Sequence, residues 1–228
     1  MLPESCRTGP LRLRVRSLTS KSVFIATPTY DEWLCMEYAS SLLRTGVECA
    51  KAGYDVYHAV AAGNPFLDLA RNNLVDKFLE SDADDLLFVD ADVGWDASAV
   101  TRILSYEEEV VGGLVPKRDA VKQDVYHDNA FTGLASKQGL LQCKEIPTAF
   151  LRIKRSAFEK IQKPYFKIGS NEKDFGEDIY FCRKWIASGN FMWIDCDISF
   201  THRGGRVWKG NFYDYALKAG LLIKQDAA

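Results

Sequence analysis

The chain has six cysteines (Cys6, Cys35, Cys49, Cys143, Cys182 and Cys196), but no C-x-x-C pair among them, which excludes the usual dithiol redox and zinc-ribbon spacings. Most sit among apolar neighbours, so reduced, buried thiols are expected, as in a cytoplasmic protein. No apolar run approaches the length of a membrane-spanning helix. The first residues carry no apolar core of a signal peptide, so a soluble, cytoplasmic protein is expected. Large charge of either sign is also missing: the net charge of −2 argues against general polyanion binding by the whole surface. There is no internal repeat and no low-complexity segment.

What is present fits one globular domain. The 228 residues are 47% hydrophobic and 26% charged, ordinary for a chain with a substantial core. The small net charge hides an asymmetry, because Arg7, Arg12, Arg14, Arg16 and Lys21 face only Glu4 in residues 1–21. Residues 1–20 therefore read as a basic, irregular leader and 21–228 as the domain, with a nucleotide-binding half at 21–113 and an acceptor half at 114–228.

Strand and helix alternate through the first half. Ser22 to Thr27 reads as a buried strand stopped by Pro28, and Asp31 to Ala52 as a helix ended by Gly53. A strand at 54–59, a helix at 66–79, a strand at 85–90, a short helix capped by Asp96 and a strand at 109–112 follow. This alternation predicts an α/β fold, with a Rossmann-like, mostly parallel central sheet and helices on both faces. Residues 114–150 read as loops with short antiparallel strands, a smaller acceptor-side region. Strands at 150–154, 191–194 and 198–201 and helices at 156–161 and 177–188 complete the expectation.

The most informative stretch is Leu86-Leu87-Phe88-Val89-Asp90-Ala91-Asp92, an apolar run ending in two acids. On a continuing strand Asp90 and Asp92 would point to the same side at its carboxyl end, where open α/β sheets bind ligands. Two adjacent carboxylates repel unless a cation joins them or one keeps its proton, and oxygen ligands suit Mg²⁺ or Mn²⁺. An acidic turn leaving the core is the plain alternative. Arg71 falls inside the apolar stripe Leu67, Ala70, Leu74, Val75 and Phe78, so it needs either a buried acid or an anionic ligand. Glu177 and Asp178 open a helix, where they could cap it or place a carboxylate to take a proton. At this position the helix dipole is expected to lower the pKa of Asp178. His202 ends an apolar strand ahead of Arg203-Gly-Gly-Arg206, a cationic segment able to close over a diphosphate. Thr27-Pro28-Thr29-Tyr30-Asp31 offers a ring and a carboxylate, and Gly112-Gly113 would allow close backbone approach. Lys117 and Arg118 read as solvated loop cations.

Taken in order, Pro-Thr-Tyr-Asp31, Ala70-Arg71-Asn72, Asp90-Ala91-Asp92, Gly112-Gly113, Gly176-Glu177-Asp178 and Ser-Phe-Thr-His202 resemble the GT-A-fold glycosyltransferases. The likeness covers about residues 22–205 and is to family 2-like enzymes of bacteria and their phages. It implies nucleotide contacts from Thr27, Pro28, Tyr30, Asp31, Arg71, Asp90, Ala91, Gly113 and Arg203. It also implies Mn²⁺ (or Mg²⁺) on Asp90, Asp92 and His202, with Asp178, beside Glu177, as general base. The implied donor is a nucleoside diphosphate sugar, UDP-sugar first. The acceptor would be a saccharide or a hydroxymethylated DNA base, the latter permitted by the basic leader and the mixed content of 114–130.

Other readings differ at stated positions. A haloacid-dehalogenase-like phosphatase would use Asp90 as nucleophile, but has Thr or Val where Gly94 stands. A nucleotidyltransferase would carry a Gly-rich, Arg-bearing loop in place of Thr27-Pro28-Thr29-Tyr30. A non-catalytic domain binding nucleotide sugar or nucleic acid would not need Asp92, Asp178 and His202 intact.

Overall fold

A computed structural model describes residues 11–13, 21–118, 136–137, 139–169, 175–205 and 207–221. The elements are β1 (Leu11–Leu13), β2 (Ser22–Thr29), α1 (Met36–Lys51), β3 (Asp55–Ala62), α2 (Leu67–Glu80) and β4 (Asp85–Val89). Next come β5 (Val93–Trp95), α3 (Ala99–Leu104), β6 (Val110–Gly113), β7 (Ser136–Lys137), β8 (Leu140–Cys143) and β9 (Phe150–Lys154). The chain ends with α4 (Ala157–Lys160), α5 (Glu177–Ala187), β10 (Met192–Asp195), β11 (Ser199–Arg203), β12 (Val207–Asn211) and α6 (Phe212–Lys218).

Nine strands form the central sheet in the order β1-β3-β2-β4-β9-β6-β10-β8-β7, and β12-β11-β5 form a small antiparallel sheet. Strands β3, β2, β4, β6, β10 and β7 run one way, and β1, β9 and β8 oppose them. The mostly parallel sheet and a smaller antiparallel region follow the expectation from sequence. The latter, however, is built from β5, β11 and β12 and not from residues 114–150, whose described strands β7 and β8 join the central sheet. Alternation along the strands separates two cores. Phe24, Ala26, Leu86 and Phe88 face α2, α4, α5 and α6, while Val23, Ile25, Leu87 and Val89 face α1 and α3. The parallel strands β2, β3, β4 and β6 end on one edge, where the loops leaving β2, β4 and β6 meet side chains from α2, α5 and β11.

Several boundaries differ from the sequence reading. Residues 11–13 are not irregular leader but pair antiparallel with β3. Pro28 does not stop β2, whose ladder with β4 has ended at Ala26, so the missing N–H falls where no bond is needed. Helix α1 starts at Met36 rather than Asp31, because Cys35 caps it through Sγ and the loop before it holds Glu32 at φ +59°. Asp96 is not the side-chain cap of α3, whose N-cap is Ser98. Strands β5 and β12 and helix α6 were not anticipated. Asn211 caps α6 by accepting from the Tyr213 and Asp214 N–H groups.

Gly113 is required by packing. A Cβ there would overlap the Phe200 ring, 2.6 Å from its Cε2, and Phe200 is itself fixed against Phe150 at 5.0 Å. Gly113→Ala is therefore expected to cost about 1–3 kcal/mol in chemical denaturation. An unchanged unfolding midpoint would show that Phe200 can yield.

Candidate active site

Strand β4 ends at Val89, and Asp90 to Val93 form a turn closed by the Val93 N–H on the Asp90 carbonyl at 3.1 Å. The two acids therefore do not alternate on a strand, as expected from sequence, but diverge from a turn. Ala91 anchors this turn, its carbonyl accepting from the Cys35 N–H at the start of α1 at 3.0 Å.

Asp90 turns toward α2. Its Oδ1 accepts from Arg71 Nη2 at 2.9 Å, and Arg71 Nε donates to Glu177 Oε1 at 2.9 Å. The Arg71 side chain is 2% exposed and stacks over Phe88, 5.1 Å from the ring centroid. Arg71 thus takes the buried-pair arrangement, with two acids, and its Nη1 is buried with no hydrogen-bond partner. The α2 stripe is buried as predicted apart from Leu67, 38% exposed at the first turn.

Glu177 meets Arg71 because it shares a helix face with Phe181 and Trp185, at spacings of four residues. Phe181 stacks on Phe166 at 5.1 Å, and Phe166 meets Phe88 edge-on at 5.3 Å, which fixes α5 against β4. Asp178 lies one helical step round and is half-buried. Its Oδ1 accepts from the Ile179 N–H at 2.7 Å, and among the described residues no cation is ion-paired with it. Burial, then the neighbouring Glu177 charge, pushes the Asp178 carboxyl above its ordinary value, although the Ile179 N–H and Arg71 oppose them. The expected lowering by the helix dipole is thus overturned by desolvation.

Asp92 turns the other way, toward the small sheet. Its Oδ2 lies 3.4 Å from His202 Nε2 and 3.1 Å from Arg118 Nη1. His202 Nδ1 is 2.7 Å from the Pro116 carbonyl, which can only accept, so Nδ1 carries a proton. Burial would raise the Asp92 carboxyl, but the His202 hydrogen bond and charge, with Arg118, hold it below the ordinary value. For His202 burial works downward, and the Asp92 and Pro116 contacts outweigh it and raise the imidazole. Arg118, read from sequence as a solvated cation, is an Asp92 partner; only the path of the loop leaving β6 reveals it.

Among the described residues no group of three or more His, Cys, Asp and Glu is placed to hold a metal ion. The chemistry of the remaining pair still fits one. With its Nδ1 proton held by Pro116, His202 meets Asp92 through Nε2, and a cation taking the place of the Nε2 proton would be held by both side chains. A backbone carbonyl orienting the far nitrogen is the usual support of a ligating histidine. Two protein ligands, with phosphates and water completing the shell, suit Mg²⁺ or Mn²⁺.

The other sequence-derived residues divide by depth. Tyr30 is 71% exposed at the rim, and Asp31 Oδ1 accepts from the Thr29 hydroxyl at 3.2 Å. Thr27 is fully buried with its hydroxyl bonded to Tyr38, and Pro28 is buried beside it, so both lie beneath the rim. Gly113 packs on Phe200, as above. The Arg203 N–H donates to the Asp92 carbonyl at 2.8 Å, while its guanidinium lies 3.3 Å from Glu37 Oε1. Arg206 lies outside the described residues. A cleft of about 610 Å³ opens between α1 and the small sheet, lined by Glu37, Arg44, Trp95 and Thr201 among others. Neither the acids of the turn nor Asp178 line it. The five described cysteines are free and buried, as expected, and no described helix is long and apolar enough to cross a membrane.

No protein-family model matches the chain, and no curated protein matches it. Among solved structures, A197 from STIV aligns at 19% identity and TM-score 0.56 over 84% of this chain and 94% of that one. S. aureus TarS 1-349 aligns at 14% identity and TM-score 0.45 over 76% of this chain and 57% of that one. A glycosyltransferase involved in the glycosylation of the major capsid of PBCV-1 aligns at 12% identity and TM-score 0.34, over 60% and 62%. At these identities the likeness is one of fold. The chain is an α/β protein sharing its fold with A197 from STIV.

Proposed function

We propose that this chain is a metal-dependent glycosyltransferase of the GT-A type, which moves a sugar from a nucleoside diphosphate sugar, a UDP-sugar first, to an acceptor hydroxyl with inversion. What supports this reading is the pairing of Asp92 with His202 at 3.4 Å after β4, together with Asp178 at the start of α5, close enough to Asp90 of the same turn to feel its charge. Asp92 and His202 would hold Mn²⁺ or Mg²⁺, while Asp90 of the same turn stays on Arg71. Bound there, the cation supplies positive charge that offsets the charge developing on the departing diphosphate. Tyr30, exposed at the rim, offers a stacking surface for the base, and Asp31 an acceptor for base or ribose. Asp178 takes the acceptor proton as the acceptor oxygen bonds to the anomeric carbon, and the bond to the diphosphate breaks on the opposite face. A raised Asp178 pKa makes it a stronger base than an ordinary carboxylate. Asp90 as a phosphatase nucleophile fits less well, since Arg71 already holds its Oδ1. A saccharide and a hydroxymethylated DNA base both remain acceptors of this reading.

The test is melting temperature with UDP or GDP and Mn²⁺, followed by a screen of nucleotide sugars for hydrolysis. A nucleotide at one hundred times its Kd adds about 2.7 kcal/mol, so a rise of several degrees is expected. Asp92→Ala should remove the Mn²⁺-dependent part of that rise. Absence of any nucleotide shift with either metal would sink the reading.

A further inference from the structure

The loop leaving β6 touches the cation site twice. Pro116 accepts the His202 Nδ1 proton at 2.7 Å, and two residues later Arg118 Nη1 sits 3.1 Å from Asp92 Oδ2. The same Asp92 oxygen faces His202 Nε2 at 3.4 Å. One carboxylate oxygen thus already has a cationic partner at the place where a metal ion would bind. A divalent ion on Asp92 and a guanidinium at that distance repel each other strongly in a partly buried site, so both cannot stay. Arg118 is the one free to go: its side chain is 51% exposed, against 24% for Asp92. The Pro116–His202 bond keeps its backbone beside the site after release. A planar guanidinium set loose beside a bound cation is well suited to two oxygens of a diphosphate.

We propose that Arg118 is a phosphate-binding residue held on Asp92 until a divalent cation displaces it, so that cation and nucleoside diphosphate each strengthen the other's binding. This rests on the proposed function and adds to it a coupling between two ligands. By linkage, the cost of releasing Arg118 weakens the cation when it binds alone and is recovered when the diphosphate captures the freed side chain.

The experiment measures Mn²⁺ affinity by electron paramagnetic resonance of the free ion, without nucleotide. UDP affinity is then measured by calorimetry in saturating Mn²⁺. It compares the wild-type chain, Arg118→Gln and Lys117→Gln, the last removing an equal charge from the same loop at a residue not paired with Asp92. Arg118→Gln is expected to bind Mn²⁺ alone about threefold more tightly, the scale of a partly exposed ion pair. It should bind UDP in Mn²⁺ about tenfold more weakly, the scale of a lost charge-assisted phosphate contact. Lys117→Gln should change neither by more than about twofold. Unchanged or weaker Mn²⁺ binding by Arg118→Gln, unchanged UDP binding, or the same pattern in Lys117→Gln would overturn the coupling. A wild-type chain that binds neither Mn²⁺ nor UDP would instead overturn the proposed function. Wild-type binding of both with an indistinguishable Arg118→Gln defeats the Arg118 role alone.

Discussion

Arg71→Met is expected to lower the thermal unfolding midpoint by roughly 10 °C or more, from a loss of about 3–5 kcal/mol. Arg71 is the only cation in ion-pair contact with Glu177 among the described residues, and the Glu177 side chain is 9% exposed. Removing the guanidinium leaves that carboxylate buried without a counter-charge, which is the costly way to break such a pair. Methionine matches the length of the stem and keeps contact with Phe88, so a packing defect would contribute little. Asp90 can be partly solvated after the change, since its side chain is 32% exposed. The double variant Arg71→Met/Glu177→Leu should therefore recover most of the lost stability. It would not recover transfer, because Glu177 and Arg71 together set where α5 begins and hence where Asp178 points. Arg71→Lys should fall between, since one ammonium lacks the fork that reaches Nε and Nη2 partners at once. A loss below about 1 kcal/mol for Arg71→Met would show that these charges are already well solvated.

The sequence made the scaffold legible where period and composition agree. The strands β2 and β4 and the stripe of α2 are continuous apolar patterns, and burial follows them closely. Arg71 was readable as a buried cation from its place in that stripe. Its second acid was also readable in principle, because Glu177 falls in line with Phe181 and Trp185. What could not be read is the fate of the acid pair. Whether a chain continues as a strand or turns after Val89 depends on β9 and α1, which pin residues 90 and 91 through backbone bonds to Ala149 and Cys35. The turn sends Asp90 to a structural partner and Asp92 to the small sheet, so two adjacent acids acquire separate duties. Arg118 was illegible for the same reason: only the long-range Pro116–His202 bond brings its loop to Asp92.

Asp178→Asn is expected to lower transfer by about 10²–10⁴-fold while leaving nucleotide and Mn²⁺ binding unchanged. The substitution preserves the shape of the side chain and its acceptor for the Ile179 N–H, so the helix start should hold. The same change should stabilise the protein at neutral pH. Burial and Glu177 raise the carboxyl in the folded state above its unfolded value, so folding favours the protonated form. Stability therefore falls as pH rises from the unfolded value through the raised folded value, and asparagine removes that loss. Asp178→Asn should melt above wild type at pH 7, with the gap closing as pH is lowered toward 4. For the wild-type chain under the proposed function, kcat/KM should rise with pH through the raised Asp178 value, as a base must be deprotonated to work. Greater stability together with lost transfer would mark a carboxylate kept at a cost for chemistry. Near-normal transfer by Asp178→Asn would remove Asp178 as the base.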